Sequence, residues 1–98
     1  SEMCIRDSFC IAFNDINPQA PIHILIIPKK EIPQLSESNE EDGELLGRLL
    51  LAANKIAEEH NTIDAFRIII NNGAKAGQSV FHLHLHLLAG RPLSWPPG

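Results

Sequence analysis

The feature that most constrains this chain is the stretch 82–88, His-Leu-His-Leu-His-Leu-Leu, where three of the five histidines fall on every second residue. Strict alternation has the period of a β-strand, whose successive side chains point to opposite faces of a sheet. The pattern therefore predicts one strand with its leucines facing a core. The histidines then share the other face: His82, His84 and His86.

The spacing of these histidines also limits their chemistry. A strand rises ~3.3 Å per residue, so neighbouring histidines lie ~7 Å apart and the outer two ~13 Å apart. A zinc ion holds each ligand nitrogen at ~2.1 Å, which keeps the ligating nitrogens within about 4 Å of one another. A regular strand can offer a metal two of the three at most. The spacing favours one histidine acting chemically while its neighbours hold it, and we expect no metal or other cofactor.

The rest of the chain predicts an α+β domain with an antiparallel sheet and one main helix. Apolar runs bounded by turn-forming residues predict four strands, at 9–13, 22–27, 65–70 and 82–88. The second run barely alternates, so we expect that strand to be buried on both faces. Ser38 and Glu41 fit a capping box at the start of the helix, which should end near Asn61. The last two strands are expected to be antiparallel neighbours.

Composition excludes several classes of partner. The chain has 98 residues and a formal net charge of −4, with no basic stripe to follow a phosphate backbone, so duplex nucleic acid is not an expected partner. A mononucleotide is compatible, because backbone amides can hold one phosphate at any net charge. No apolar run approaches the ~20 residues of a membrane helix, so no membrane partner is expected. Cys4 and Cys10 are interpreted as free thiols in a reducing compartment.

Five segments together resemble a known family. The stretch 82–88 matches the His-φ-His-φ-His-φ-φ signature of the histidine triad (HIT) superfamily of nucleotidyl hydrolases and transferases, where φ is apolar. The segments 15–21, 23–30, 77–81 and 95–98 (Asp-Ile-Asn-Pro-Gln-Ala-Pro, His to Lys-Lys, Gly-Gln-Ser-Val-Phe and Trp-Pro-Pro-Gly) are similar to the histidine triad nucleotide-binding (Hint) branch. The resemblance runs from about residue 9 to residue 98.

The resemblance implies a purine nucleoside phosphoramidase that hydrolyses the P–N bond of adenosine 5'-phosphoramidates and acts on lysyl-adenylate-like substrates. The middle histidine, His84, would be the nucleophile and form a nucleotidyl-histidine intermediate. A neutral imidazole suits this role, because it attacks phosphorus without prior activation and leaves again when water displaces it. His82 and His86 would orient it, and His23 would assist near the leaving group.

The same resemblance assigns the substrate contacts. The carboxylate of Asp15 would accept the ribose hydroxyls. Apolar side chains would surround the base: Phe13, Ile16 and Leu25. Polar and backbone groups would lie beside the phosphate or leaving group: Asn71, Gly77, Gln78 and Ser79. Trp95, in a C-terminal tail that reaches a partner subunit in the family, would influence the choice of leaving group, and a homodimer is expected.

The start of the chain departs from the family pattern. Residues 1–8 match nothing in it, and the helix and strand that normally come before residue 9 are not recognisable. We therefore divide the chain into an atypical segment, 1–8, and an N-terminally incomplete HIT domain, 9–98. The expected location is intracellular. Cytoplasm or nucleus is favoured, and the mitochondrion is an open alternative.

Three alternatives compete with the phosphoramidase. The first is a nucleotide-binding or scaffolding protein with little turnover, because part of the family's base pocket is missing from the pattern. The second is a metal protein that uses His82, His84 or His23. The third, a hydrolase of dinucleoside polyphosphates, is disfavoured by the Gly-Gln-Ser and Trp-Pro-Pro-Gly segments.

Overall fold

The structure is a computed structural model, and it describes Cys4 and residues 8–98. The division proposed at residue 8 therefore falls mostly on residues outside the described part. Within that part the elements follow the predicted order: β1 (Cys10–Asn14), β2 (Ile22–Pro28), α1 (Gly43–Glu59), β3 (Phe66–Ile69) and β4 (Leu85–Ala89). Among the described residues, no helix is both long enough and apolar enough to span a membrane.

The four strands form one sheet in the order β1-β2-β4-β3, and every neighbouring pair is antiparallel. This confirms the predicted α+β class and the pairing of the last two strands. No residue of β2 is exposed, in agreement with a strand buried on both faces. Helix α1 packs against one face through β2 and β4, which leaves the other face for the polar residues.

The core lies between α1 and the sheet. Ile26 and Leu87 from the strands meet Leu49 and Ile56 from the helix, and each is at most 2% exposed. The leucines of the histidine stretch behave as their alternation predicts, because Leu83, Leu85 and Leu87 are all at most 1% exposed.

The prediction of a regular strand over 82–88 was wrong at its start. Strand β4 begins only at Leu85, so His82 and His84 precede the ladder. The neighbouring strand ends at Pro28, which has no N–H with which to continue the ladder. Instead the N–H of Leu83 donates to the carbonyl of Ile32 at 2.7 Å, and the chain departs from β2.

The predicted capping box was displaced by one residue, and α1 itself begins only at Gly43. Asn39, not Ser38, forms the capping box: its side chain accepts from the N–H of Glu41, and Asp42 accepts from the N–H of Asn39. The Ser38 hydroxyl instead donates to the carbonyl of Leu35 and closes the preceding turn. The box covers a single 3₁₀ turn that leads into α1, and the helix ends at Glu59, two residues before the expected end.

The interpretation of Cys4 and Cys10 as free thiols was also wrong. The two residues form a disulfide, with their Cα atoms 4.7 Å apart. The backbone N–H of Ser8 donates to the carbonyl of Cys4. Both cysteines are buried in the core, so they no longer support an argument for a reducing compartment.

Candidate functional site

The sheet register gathers predicted site residues on the face opposite α1. Residues paired across an antiparallel ladder point to the same face. Phe13 pairs with Leu25, and Leu25 pairs with His86, so these three form one row across the sheet. His23 pairs with Leu88 in the adjacent row. Four residues predicted from distant parts of the chain therefore share one surface.

His84 is held by a backbone carbonyl. Its Nδ1 lies 2.7 Å from the carbonyl oxygen of His82. A carbonyl can only accept, so in the neutral ring the proton is on Nδ1 and Nε2 carries the lone pair. The arrangement selects the tautomer that a nucleophilic histidine requires, and it does so through the backbone of the residue two positions earlier.

His23 and His86 form a directional chain of hydrogen bonds. The backbone N–H of Gln19 donates to His23 Nδ1 at 3.0 Å, so the proton of a neutral His23 is on Nε2. His23 Nε2 lies 2.9 Å from His86 Nδ1 and donates to it. His86 then carries its own proton on Nε2. We call this series of hydrogen bonds, which runs from the Gln19 N–H through His23 to His86, the histidine relay.

The surroundings of His86 favour its neutral form. Burial lowers the pKa of His86 below its usual 6.5, and positive charge on His84 and His23 would lower it further, against a smaller opposite effect of Asp15. The His86 ring stands nearly edge-on to the His84 ring, with 5.0 Å between their centroids. The site thus keeps a neutral hydrogen-bond donor next to the proposed nucleophile.

Asp15, His23 and His86 also resemble a metal-ligand set, because one potential ligand atom from each lies within 4.8 Å of the others. A neutral histidine that binds a metal through Nε2 normally donates its Nδ1–H to an acceptor. His23 Nδ1 faces the N–H of Gln19, which is a donor. Ligation would set two N–H groups against each other, so the donor set fits the relay and not a metal bound at His23.

The predicted ribose acceptor, Asp15, lies at the edge of the relay. Its Oδ2 atom is 3.4 Å from His23 Nε2, and its Oδ1 atom accepts from the N–H of Asn17 at 2.8 Å. Ile16 follows it in the turn and is fully exposed.

The loop before the histidine triad holds both buried and exposed residues among the predicted substrate contacts. Gln78 is only 4% exposed, and its amide donates to the carbonyls of Pro33 and Val80 and accepts from the N–H of Gly73. All its polar atoms are engaged with backbone, so we assign the side chain to holding the loop. Ser79 and Gly77, by contrast, are exposed.

A cavity of about 630 Å³ lies between β3 and the C-terminal tail. It brings together His23 and His86 with two other predicted residues, Asn71 and Trp95. The remaining predicted residues are not part of its lining: His82, His84, Phe13, Leu25, Asp15, Ile16, Gly77, Gln78 and Ser79. His82 is held apart, with its Nε2 atom donating to the carbonyl of Pro28 at 2.9 Å.

Two residues of this site were missed by sequence reasoning. Arg67 lines the cavity, donates to the carbonyl of Leu93 at 3.2 Å and lies over the Trp95 ring. Arg67 is the one charged residue in the apolar run 65–70, and this exception could have marked it as a candidate site residue. Gln19 orients His23 through a backbone N–H. Almost any residue supplies such a group, so the residue type at position 19 gave no signal.

Comparison with known proteins identifies the family of this chain. The HIT domain family matches residues 1–93. The chain belongs to this family. An uncharacterized HIT-like protein of Synechocystis sp. is 61% identical over 93 residues, which are 95% of this chain and 82% of the relative.

Solved HIT structures share the fold. A HIT family hydrolase from Legionella pneumophila superposes with a TM-score of 0.88 at 40% identity, covering 98% of this chain and 96% of the other. A Plasmodium falciparum diadenosine triphosphate hydrolase is more distant, with a TM-score of 0.63 and 28% identity over 85% of this chain and 56% of its own.

Proposed function

We propose that this HIT protein is a Hint-like purine nucleoside phosphoramidase, which hydrolyses the P–N bond of adenosine 5'-phosphoramidates and also accepts lysyl-adenylate-like substrates. The observation that carries the proposal is the hydrogen bond from His84 Nδ1 to the carbonyl of His82. It leaves the Nε2 lone pair of a neutral imidazole available for attack. Similarity to a HIT family hydrolase supports hydrolysis as the class of reaction.

In the first step, the lone pair of His84 Nε2 forms a bond to the α-phosphorus. The P–N bond of the substrate breaks, and the nitrogen leaves with its electron pair and takes one proton from water. The His84 Nδ1–H stays bonded to the carbonyl of His82, which stabilises the positive charge that the ring gains. The product of this step is a nucleotidyl-histidine.

In the second step, a water oxygen attacks the same phosphorus and the P–Nε2 bond breaks. The electron pair returns to Nε2, the hydroxyl remains on AMP, and the second proton of the water replaces the one taken by the amine. His86, kept neutral with a proton on Nε2, would donate to the phosphate oxygens in both steps. Donors of this kind offset the developing charge, so the proposed reaction requires no metal.

The nucleotide would lie across the open face of the sheet. The row of Phe13 and Leu25 would contact the base beside the exposed Ile16. Asp15 would accept the ribose hydroxyls. The phosphate and leaving group would then reach Asn71 and the exposed Gly77 and Ser79.

The leaving group would enter the cavity beside Trp95. We also propose a two-fold homodimer. Exposed apolar side chains on the helix, Leu50 and Leu51, support such an interface.

A second candidate function is hydrolysis of a dinucleoside polyphosphate. The similarity to the Plasmodium falciparum diadenosine triphosphate hydrolase favours it, although that likeness is weaker than the one to the Legionella pneumophila protein. Both reactions would use the same nucleophile and differ in the leaving group, an amine or a nucleotide. Direct comparison of kcat/KM for the two substrate types separates them.

The decisive experiment follows amine release from a fluorogenic adenosine phosphoramidate by the purified chain and by His84→Ala. We expect the variant to lose at least about 10³-fold in kcat, because the covalent route requires this nitrogen. His60→Ala is the matched control, since His60 is exposed and lies at the end of α1. Rapid quenching and mass spectrometry should find an AMP adduct on His84.

Two outcomes would contradict the proposal. Turnover by His84→Ala equal to that of the parent would remove His84 as the nucleophile. A folded parent that binds AMP without turning over either substrate type would leave a nucleotide-binding protein as the better description.

A further inference from the structure

We propose that Arg91 is a positioning residue for the histidine relay, and that it acts through Gln19 without touching substrate. The inference rests on the proposed function, because it assigns Arg91 a role in the reaction that the relay supports. Two independent contacts carry it: the guanidinium of Arg91 on the turn that contains Gln19, and the packing of Gly90 against the end of the same turn.

The first contact is a two-pronged hydrogen bond. Arg91 Nε and Nη2 both donate to the carbonyl oxygen of Gln19, at 3.2 and 2.9 Å. The third nitrogen, Nη1, donates to the carbonyl of Pro92 at 2.9 Å, which holds the guanidinium plane. Because two donors of one rigid fork meet one oxygen, the position of the Gln19 carbonyl is defined in direction as well as distance.

Gln19 passes this constraint to the site. Its N–H donates to His23 Nδ1 at 3.0 Å, and this bond decides which nitrogen of His23 carries the proton. His23 Nε2 then donates to His86 Nδ1. A movement of the Gln19 residue would therefore change the tautomer of His23, and with it the direction of the whole relay.

The second contact fixes the same turn from the strand side. Gly90 directly follows β4 and adopts a positive φ of 96°. A Cβ atom placed on it would lie 3.0 Å from the Cβ of Pro21, closer than such carbons normally approach. Glycine thus allows the strand that carries His86 to end against the turn that leads into His23, and it directs Arg91 onto that turn.

The contact is on the surface, which defines what it can do. Arg91 and Gln19 are both exposed, so water can replace the guanidinium without unfolding the chain. Loss of Arg91 should therefore affect the order of the turn and the tautomer of His23 more than the stability of the fold. A purely structural arginine would not produce that combination.

The test compares Arg91→Ala and Arg91→Lys with the parent, and uses Lys55→Ala as the matched loss of a surface positive charge on α1. Long-range ¹H–¹⁵N spectra of the substrate-free protein report the protonation of each ring nitrogen of His23. In the parent we expect a protonated Nε2 and an unprotonated Nδ1. In Arg91→Ala we expect averaging between tautomers, with kcat about 10-fold lower and KM changed by less than about twofold.

Arg91→Lys keeps the charge but offers one nitrogen, so it should fall between the parent and Arg91→Ala. Gly90→Ala, which pushes Pro21 away, should reproduce the tautomer change while Arg91 is present. If Arg91→Ala retains both the parental His23 spectrum and the parental kcat, the positioning role is overturned. Because the spectrum needs no substrate, a parent without turnover would overturn the proposed function and still leave this contact testable.

Discussion

The two faces of the sheet are stabilised by different physics, although the same strands supply both. On the helix face, Ile26 and Leu87 pack against Leu49 and Ile56, and none of these side chains carries a polar atom. On the open face, His23 and His86 lie beside Leu25, and each ring nitrogen of His23 has a defined partner. The helix face depends on volume, and the open face depends on the direction of hydrogen bonds.

This difference has a consequence for mutation. Truncation on the helix face leaves a cavity in a closed core, and its cost appears in the stability of the whole chain. Truncation on the open face removes a hydrogen-bonding group or a partly buried contact whose role is local, so its cost should appear in catalysis. The predictions below measure each face with both readouts.

The largest effect expected on stability compares two leucines. Leu87→Ala on the helix face should lower the free energy of unfolding by about 2–5 kcal/mol, because Leu87 is fully buried. Leu25→Ala on the open face should cost about 1 kcal/mol, because Leu25 is only partly buried, and it should raise KM for the nucleotide. Urea unfolding measures the free energy of unfolding of both variants, and steady-state kinetics measure KM. Equal losses of stability in the two variants would remove the distinction between the faces.

A smaller effect on stability, with a large one on rate, is expected at the relay. His23→Phe keeps an aromatic ring but leaves the Gln19 N–H and His86 Nδ1 without partners. We expect kcat to fall about 10²-fold, as for loss of an acid–base helper. The free energy of unfolding should fall by about 1–2 kcal/mol. His60→Phe is the control, and a His23→Phe enzyme with parental kcat would show that the relay has no part in the reaction.

The helix face was predictable from the sequence, because burial follows from periodicity. Alternation at Leu83, Leu85 and Leu87 was enough to place these side chains in the core. The errors on this face have local causes. The ladder stops at Pro28, and the Ser38 hydroxyl donates to the carbonyl of Leu35 instead of capping the helix. Neither outcome is visible in hydrophobic pattern alone.

The open face was predictable only in part. Resemblance supplied the residue types, and the register brought Phe13, Leu25, His23 and His86 together. The groups that orient the histidines are backbone atoms, such as the His82 carbonyl and the Gln19 N–H. Every residue has such atoms, so only the folded chain shows which of them face a ring nitrogen. Likewise, the spacing of six residues between Cys4 and Cys10 does not by itself specify a disulfide.

The smallest expected effect is a dependence of the free energy of unfolding on pH. It should come from the open face and not from the core. Burial lowers the pKa of His86 in the folded chain, whereas in the unfolded chain it stays near 6.5. Below pH 6.5 the unfolded state therefore binds more protons, and the free energy of unfolding falls as the pH falls towards the lowered pKa.

His86→Gln has no titrating group at this position, so its loss of stability below pH 6.5 should be shallower than that of the parent. Above pH 6.5 the two curves should run parallel. Leu87→Ala should instead be shifted by the same amount at every pH, because no titrating group is removed from the helix face. Urea unfolding at a series of pH values measures all three proteins. A His86→Gln curve with the parental slope below pH 6.5 would show that His86 is not the group that links protonation to folding.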